Sequence, residues 1–257
     1  MTCFARHLTD GNAYLDRPIW HALRTRQSHF CVSRRDTVMF RPEVSHFGAT
    51  APGDHGNPEG LVDLLGQSVG CMVFMQTEAF DLPDMLRCTR HAEGLQMVLA
   101  SAPAERAMPG ICTLGDADVP DILRLVELTE PGPFRPRTVS LGTYLGLRRN
   151  GQLIAMAGER LKLPGFTEIS AVCVHPGHRR SGLAQALVTT LIHLILSRKE
   201  TPMLHLYSDN LAARALYEGL GFQVRAKVHI QTVENRFART TPQRATMLHS
   251  SSHIFGG

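Results

Sequence analysis

The sequence predicts an α/β protein in which strands and helices alternate along the chain. Apolar runs of strand length occupy residues 70–75, 95–100 and 166–174, and such short runs are typical of buried strands. Apolar residues recur at helical spacing between Ala184 and Ile195, which predicts an amphipathic helix. Asn150-Gly151 lies between two apolar runs and predicts a tight hairpin.

The composition is that of a globular protein with room for a sizeable core. Of 257 residues, 43% are hydrophobic and 19% are charged, which suits one large domain or two small ones. No apolar run reaches the roughly 20 residues that cross a bilayer, and the N-terminus lacks the order of a signal peptide. The six cysteines form no Cys-x-x-Cys pair, so we expect a protein of the reducing cytoplasm without a membrane partner. A net charge of +4 is too small to indicate a nucleic-acid partner.

The first hundred residues read as a smaller α/β lobe. Residues 1–16 have no clear pattern and are expected to form a loose leader. A hairpin is predicted around the polar turn 34–36, and the Gly- and Pro-rich stretch 48–60 is predicted to be a loop. A short helix is expected from Leu61. We therefore place an N-terminal α/β lobe at residues 1–106, a second domain at 107–240 and a flexible tail at 241–257.

The second domain has clearer start and stop signals. Acidic residues precede Val119-Pro120, which predicts a helix start. The strand at 166–174 is nearly all apolar and is expected to be central. A helix is predicted over 181–197, a strand over 203–207, a helix that Asn210 caps, and a strand over 222–232. We expect this last strand to be an edge strand, which leaves a homodimer open.

The segment from Val172 to Ala184 is built to hold phosphate. It reads as an apolar strand, a basic loop with Arg179 and Arg180, and a helix that opens on Ser181-Gly182. The first N–H groups of a helix have no intrahelical partner and lie at the positive end of its dipole. Gly182 lets an anion approach the backbone without a Cβ in the way. The segment therefore predicts an anionic ligand, and a pyrophosphate in particular.

Two motifs in residues 111–232 resemble the GNAT superfamily of acetyl-CoA-dependent N-acetyltransferases. Arg179-Arg-Ser-Gly182-Leu-Ala184 fits the family's pattern of Gln or Arg, two residues, Gly, one residue, and Gly or Ala. Asn210-Leu-Ala-Ala213-Arg-Ala-Leu-Tyr217-Glu-Gly-Leu-Gly-Phe is similar to the family's second motif. The Arg-x-x-Gly-x-Ala loop alone is a weak signal, but both motifs in the expected order are a strong one.

The resemblance implies a fold and a donor site. The fold is a mixed, twisted sheet flanked by helices, whose fourth and fifth strands separate to admit the pantetheine arm of acetyl-CoA. The N-terminal lobe carries neither motif, and its strand–helix mixture would fit a degenerate half-copy of the same fold, as in some two-lobed members that resemble glycine acyltransferase-like proteins. The positions that the resemblance assigns to the cofactor are Val172, Cys173, Val174, Arg179, Arg180, Ser181, Gly182, Leu183, Ala184, Asn210, Ala213 and Tyr217.

Two residues are candidates for acid–base catalysis. The resemblance places the hydroxyl of Tyr217 near the thioester sulfur, where it would protonate the leaving thiolate; the alternative is a packing tyrosine. Glu168 stands on the strand before the loop, where some family members carry a general base, and burial would raise its pKa. The alternative is a carboxylate beside the Pro164-Gly165 turn.

Other polar residues near the loop have simpler roles. Asn210 is expected to cap its helix, and cofactor contact is compatible with that. Apolar neighbours should raise the pKa of Cys173 and make it an inert thiol. His175 and His178 have no further ligands near them in sequence, so we expect no metal site.

We therefore predict an N-acetyltransferase that moves an acetyl group from acetyl-CoA to a primary amine by direct attack in a ternary complex. The acceptor is a small molecule or a peptide. The alternative is a non-catalytic acyl-CoA-binding sensor or interaction module, which would not need Tyr217 or Glu168.

Overall fold

The computed structural model describes residues 12–52, 58–67, 70–105 and 108–237. Within these ranges the helices, apart from short 3-10 turns, are α1 (Asn12–Asp16), α2 (Pro18–Arg24), α3 (Pro58–Gln67), α4 (Val119–Thr129), α5 (Leu183–Ser197) and α6 (Leu211–Gly219). The strands are β1 (Cys31–Arg34), β2 (Thr37–Phe40), β3 (Gly48–Thr50), β4 (Cys71–Gln76), β5 (Leu86–Leu99), β6 (Ile111–Leu114), β7 (Tyr144–Arg149), β8 (Gln152–Leu163), β9 (Phe166–Val174), β10 (Thr201–Tyr207) and β11 (Phe222–Asn235). Strands and helices alternate, as the sequence predicts.

The described residues fall into two compact units. The first holds the chain up to Gly94, Leu161–Pro164 and the chain from Ala226. The second holds Leu95–Arg160 and Gly165–Arg225. The long strands β5, β8 and β11 therefore contribute residues to both units.

The first unit contains a three-stranded antiparallel sheet and a longer ladder. Strands β1, β2 and β3 are neighbours in that order, and β1 and β2 form the predicted hairpin, with Cys31 opposite Phe40. Strand β4 pairs antiparallel with β11, from Gln76–His229 to Cys71–Glu234. Leu61 and Leu64 of α3 pack with Phe74 and Phe80, whose rings stack 4.5 Å apart.

The second unit is built on a mixed sheet in the order β11-β5-β10-β9-β8-β7-β6. Strands β6, β7 and β8 are antiparallel neighbours, and β9 and β10 are parallel. The β7–β8 hairpin turns at Asn150-Gly151, both with positive φ, as a tight two-residue turn requires. Strand β9 is interior, as its apolar sequence predicts.

Helices cover both faces of this sheet. Ala155 and Ala157 belong to the core cluster that contains α5 and α6. Met156, between them, belongs to the cluster that contains Ile122 and Leu125 of α4. Successive strand residues point to opposite faces, so α4 lies on one face and α5 with α6 on the other.

Three predicted features are wrong. Residues 12–16 of the expected leader form α1, and Gly48–Thr50 of the expected loop form β3. Strand β11 is not an edge strand, because it lies between β4 and β5 and both of its sides are paired. The edge-pairing argument for a homodimer therefore does not hold. The predicted tail at 241–257 lies outside the described residues.

Candidate active site

The basic loop between β9 and α5 presents a helix N-terminus. Helix α5 starts at Leu183, and its first backbone bond runs from the Ala186 N–H to the Gly182 carbonyl at 3.0 Å. The N–H groups before Ala186 therefore have no acceptor within the helix. Arg180 and Gly182 adopt left-handed backbone conformations, with φ of 62° and 76°. Space for a Cβ exists at Gly182, so its φ is what favours glycine here.

The loop is closed by its own side chains and carries exposed charge. The Ser181 hydroxyl donates to the His178 carbonyl at 2.6 Å. The Gly177 N–H donates to Nδ1 of His175 at 3.1 Å. Arg179 and Arg180 are exposed. Backbone donors, a helix dipole and two guanidinium groups therefore share one surface, which is suited to a polyanion.

A cleft opens where β9 and β10 separate. The two strands pair from Phe166–Thr201 to Glu168–Met203. Beyond those pairs lies a narrow cleft with a cavity volume of about 20 Å³. It is lined by Pro131, Ile169, Ser170, Ala171, Val172, His205, Leu206, Asn210, Ala213 and Tyr217. It thus brings together Val172, Asn210, Ala213 and Tyr217, four of the residues predicted to bind the cofactor.

Ala171 gives β9 an unusual backbone at the cleft. Its φ is 53°, in the left-handed region that costs an L-residue about 1–2 kcal/mol. A left-handed residue inside a strand interrupts the regular alternation of N–H and C=O groups. The residues that follow it, Val172 to Val174, are among those that the resemblance assigns to the cofactor. No local feature of the sequence predicts this conformation.

Tyr217 and Cys173 are buried groups near the cleft. Tyr217 is 8% exposed and packs edge-to-face with Phe222 at 6.1 Å between ring centroids. Burial, with Cys173 nearby, raises the pKa of Tyr217, so its hydroxyl keeps its proton at neutral pH. Burial raises the pKa of Cys173 to about 12, which confirms the prediction of an inert thiol.

Asn210 caps α6 as predicted. Its Oδ1 accepts from the Ala213 N–H at 3.0 Å, which satisfies one of the helix's unpaired donors. The cap also fixes the position of Asn210 at the cleft wall.

Glu168 is fully buried, and its environment differs from the prediction. Its carboxylate accepts from Nε and Nη2 of Arg160 at 2.8 and 2.5 Å, and from Nδ1 of His205 at 2.7 Å. Burial by itself would raise the pKa of Glu168, but the charge and hydrogen bonds of Arg160, followed by the contact with His205, lower it to about 2. The predicted rise is therefore wrong. A carboxylate of such low pKa is a weak base at neutral pH.

Two further residues extend this cluster and were missed by the sequence analysis. Gln96 lies 2.9 Å from Nε2 of His205, and Nη1 of Arg225 donates to the Gln96 carbonyl oxygen at 2.8 Å. The sequence feature that could have predicted the cluster is a single polar residue inside an apolar strand, as in Leu95-Gln96-Met97 and Leu204-His205-Leu206. Polar side chains at such positions need partners, which the strand order supplies.

The two loop histidines lie close together without a third ligand. Their ring centroids are 5.6 Å apart. Among the described residues, the structure holds no group of three or more His, Cys, Asp or Glu side chains placed to bind a metal ion.

Comparisons with known proteins agree with this geometry. The family model described as FR47-like protein matches residues 144–230. The [ribosomal protein bS18]-alanine N-acetyltransferase of Escherichia coli strain K12 is 31% identical over 121 residues, which cover 45% of this chain and 81% of that protein. The chain belongs to the GNAT family.

Solved GNAT structures extend the similarity. A protein from Novosphingobium aromaticivorans, described as a GNAT acetyltransferase, is 36% identical, has a TM-score of 0.80, and covers 86% of this chain and 98% of its own. A GCN5-related N-acetyltransferase-like protein from Streptococcus suis has a TM-score of 0.56 at 16% identity, covers 87% of this chain and 96% of its own, and supports the fold alone. The chain therefore has the GNAT mixed sheet, and the family to which it belongs is one of acyltransferases. No helix in the described part is long and apolar enough to cross a membrane.

Proposed function

We propose that this GNAT protein transfers an acetyl group from acetyl-CoA to a primary amine, by direct attack in a ternary complex. The observation that carries the proposal is the cleft between β9 and β10, which contains Tyr217 and Asn210 and follows directly after the last paired residues of the two strands. Such a cleft admits a thin, extended ligand arm edgewise into a sheet.

The residues present fit an acyl-CoA donor. The loop from Arg179 to Ala184 offers backbone N–H groups, a helix dipole and two guanidinium groups to the pyrophosphate. The backbone of Val172 to Val174 lies on the β9 side of the cleft, and Asn210 with Ala213 on the α6 side. These groups would hold the two amides of a pantetheine arm between them.

In the proposed reaction the neutral amine nitrogen attacks the thioester carbonyl carbon. A C–N bond forms, the C–S bond breaks, and the electron pair leaves on sulfur. Tyr217 donates its proton to the departing thiolate and regains one from water, which receives the proton that the amine loses. Burial keeps Tyr217 protonated at neutral pH, so a hydroxyl proton is present to hydrogen-bond the departing thiolate. Cys173 is not the acyl carrier, since its raised pKa keeps it a thiol.

The acceptor proposed for the first assay is the α-amino group of a peptide. The E. coli relative is named for acetylation of an alanine of ribosomal protein bS18, so a peptide that begins with alanine is the first choice. A lysine-containing peptide blocked at its N-terminus, a free amino acid and a polyamine complete the panel. Thiol release from acetyl-CoA measures turnover with each of them.

The donor site is tested by titrating the protein with acetyl-CoA in a calorimeter. Gly182→Asp should abolish micromolar binding, because a carboxylate at the helix start repels the pyrophosphate. Gly151→Asp is the matched control, since Gly151 is also exposed, has a φ of 79° and has no atom within 4 Å of the place that a Cβ would take. Both variants carry the same charge and the same backbone strain.

The outcomes separate the two functions. Binding by the wild type and by Gly151→Asp, with loss in Gly182→Asp and thiol release with an amine, supports the acetyltransferase. Binding without thiol release from any acceptor class favours the non-catalytic acyl-CoA module. Equal binding by Gly182→Asp would refute the phosphate-loop assignment.

A further inference from the structure

Five polar side chains from five neighbouring strands form one hydrogen-bonded chain, the polar ladder. Its members in spatial order are Arg160 on β8, Glu168 on β9, His205 on β10, Gln96 on β5 and Arg225 on β11. The joining distances run from 2.5 to 2.9 Å. Arg160, Glu168, His205 and Gln96 are all buried. Buried polar chains of this length restrict the strands that carry them.

The ladder lies on the sheet face opposite α5 and α6. Leu95, Met97, Ile169, Leu204 and Leu206 belong to the core cluster with those helices. The ladder residues on these strands are their immediate neighbours in sequence. Because successive strand residues alternate between faces, the ladder side chains point the other way.

The donor pattern assigns the ring proton of His205. The Glu168 carboxylate only accepts, so Nδ1 of His205 carries the hydrogen. The Arg225 guanidinium only donates, so the Gln96 oxygen faces it and the Gln96 amide donates to Nε2 of His205. Every link then has one donor and one acceptor.

One link of the ladder coincides with the start of the cleft. The last paired residues of β9 and β10 are Glu168 and Met203. His205 is two residues further along β10, and it lines the cleft. The 2.7 Å bond from His205 to Glu168 therefore joins the two strands at the point where they separate.

We infer that Glu168 and His205 form a clamp that sets the separation of β9 and β10 and so positions the thioester against Tyr217. This inference rests on the proposed function. Glu168 is then a positioning residue, held by the bidentate contact with Arg160, and His205 is its partner across the cleft. Neither needs to exchange a proton with the substrate. The low pKa of Glu168 suits a permanent acceptor.

The test compares two substitutions of His205. His205→Leu removes the bond to Glu168. His205→Asn keeps it, because the Asn amide nitrogen occupies roughly the position of Nδ1 and donates to the carboxylate. A misplacement of about 1 Å at a reacting centre costs about 100-fold in rate. We therefore expect kcat to fall ~10- to 100-fold in His205→Leu and to stay within about threefold of wild type in His205→Asn.

Two further measurements separate positioning from a general loss of structure. The affinity for 3′-phospho-ADP, the part of CoA that carries the phosphates without the pantetheine arm, should change less than about threefold in both variants, because the phosphate loop is untouched. Gln231→Leu is the stability control, since Gln231 is also buried and makes two side-chain hydrogen bonds, with Phe80. It should lower stability without changing kcat.

Each outcome decides a different point. Rescue by Asn, with retained binding of 3′-phospho-ADP, supports the clamp. A kcat of His205→Leu within threefold of wild type overturns it. Equal loss in Asn and Leu also overturns it, and assigns the ring itself a proton-transfer role. If the wild type neither binds acetyl-CoA nor releases thiol, the proposed function fails instead.

Discussion

Replacing Glu168 by glutamine should destabilise the protein by about 3–5 kcal/mol, the cost of breaking a buried ion pair from one side. The contacts of Glu168 explain the size of this loss of stability. Glu168 accepts three hydrogen bonds at 2.5–2.8 Å, two from Arg160 and one from His205. A glutamine oxygen can replace one carboxylate oxygen, but its amide then faces a guanidinium N–H. Arg160, only 6% exposed, loses the carboxylate that meets its guanidinium at 2.5 and 2.8 Å.

Urea unfolding followed by circular dichroism measures this effect. A loss of 3–5 kcal/mol corresponds to a fall of roughly 6–20 °C in Tm for a chain of this size. Glu218→Gln is the matched control, because Glu218 pairs with Arg214 at 2.8 Å on an exposed helix surface. Exposed pairs of this kind contribute about 0.3–0.5 kcal/mol.

A double-mutant cycle tests the cause. In Arg160→Met/Glu168→Gln both charges of the buried pair are absent, so the double variant should be more stable than the sum of the two single effects by about 1–3 kcal/mol. Additive effects would refute the reasoning. So would a Glu168→Gln variant within about 1 kcal/mol of wild type, since buried pairs typically lose more.

Four further outcomes follow from the structure. Tyr217→Phe should lower kcat about 100-fold or more with little change in acetyl-CoA affinity, and unchanged turnover would exclude Tyr217 as the acid. Ala171→Gly should raise Tm by a few degrees, because Ala171 has a φ of 53° and glycine removes about 1 kcal/mol of strain; a lower Tm would show that the unfolded-state entropy of glycine dominates. Gly221→Ala should cost more than about 2 kcal/mol, since φ is 90° and a Cβ would collide with the Ser101 carbonyl; a Tm within 2 °C of wild type would contradict this. The pKa of Glu168 in the folded protein is about 2, below its usual 4.5. Its ionised form therefore contributes about 3 kcal/mol to the free energy of unfolding above pH 4.5, and this contribution is lost between pH 4.5 and 2. Urea unfolding at pH 6, 4 and 3 should show this fall in the wild type and not in Glu168→Gln.

Short sequence patterns predicted the secondary-structure elements that end at a turn residue or begin at a helix cap. Asn150-Gly151 defines the β7–β8 turn because both residues tolerate positive φ. Asn210 defines the start of α6 because its side chain replaces a missing backbone bond. The resemblance to the GNAT family implied a gap between the fourth and fifth strands of the sheet, and Asn210 lines the cleft between β9 and β10.

Features that depend on residues far away in the sequence could not be predicted from short patterns. Gly48 and Thr50 read as loop residues, yet β3 pairs with β2, and a Cβ on Gly48 would collide with Met72. The first half of β5 is largely polar and exposed, so its periodicity carried no strand signal. The polar ladder requires the strand order, which no local pattern contains. The pKa of Glu168 is lowered rather than raised for the same reason, because Arg160 and His205 lie on neighbouring strands.

The course of β5 bears on how the protein can be dissected. Leu95, Met97 and Leu99 of β5 belong to the same core cluster as α5 and α6, and Gln96 between them completes the contact to His205. A recombinant fragment starting at residue 107 would begin after all four. It would carry both acetyl-CoA motifs and still expose the apolar surface that β5 covers. Expression trials of shortened chains should therefore start upstream of Leu86, where the strand begins.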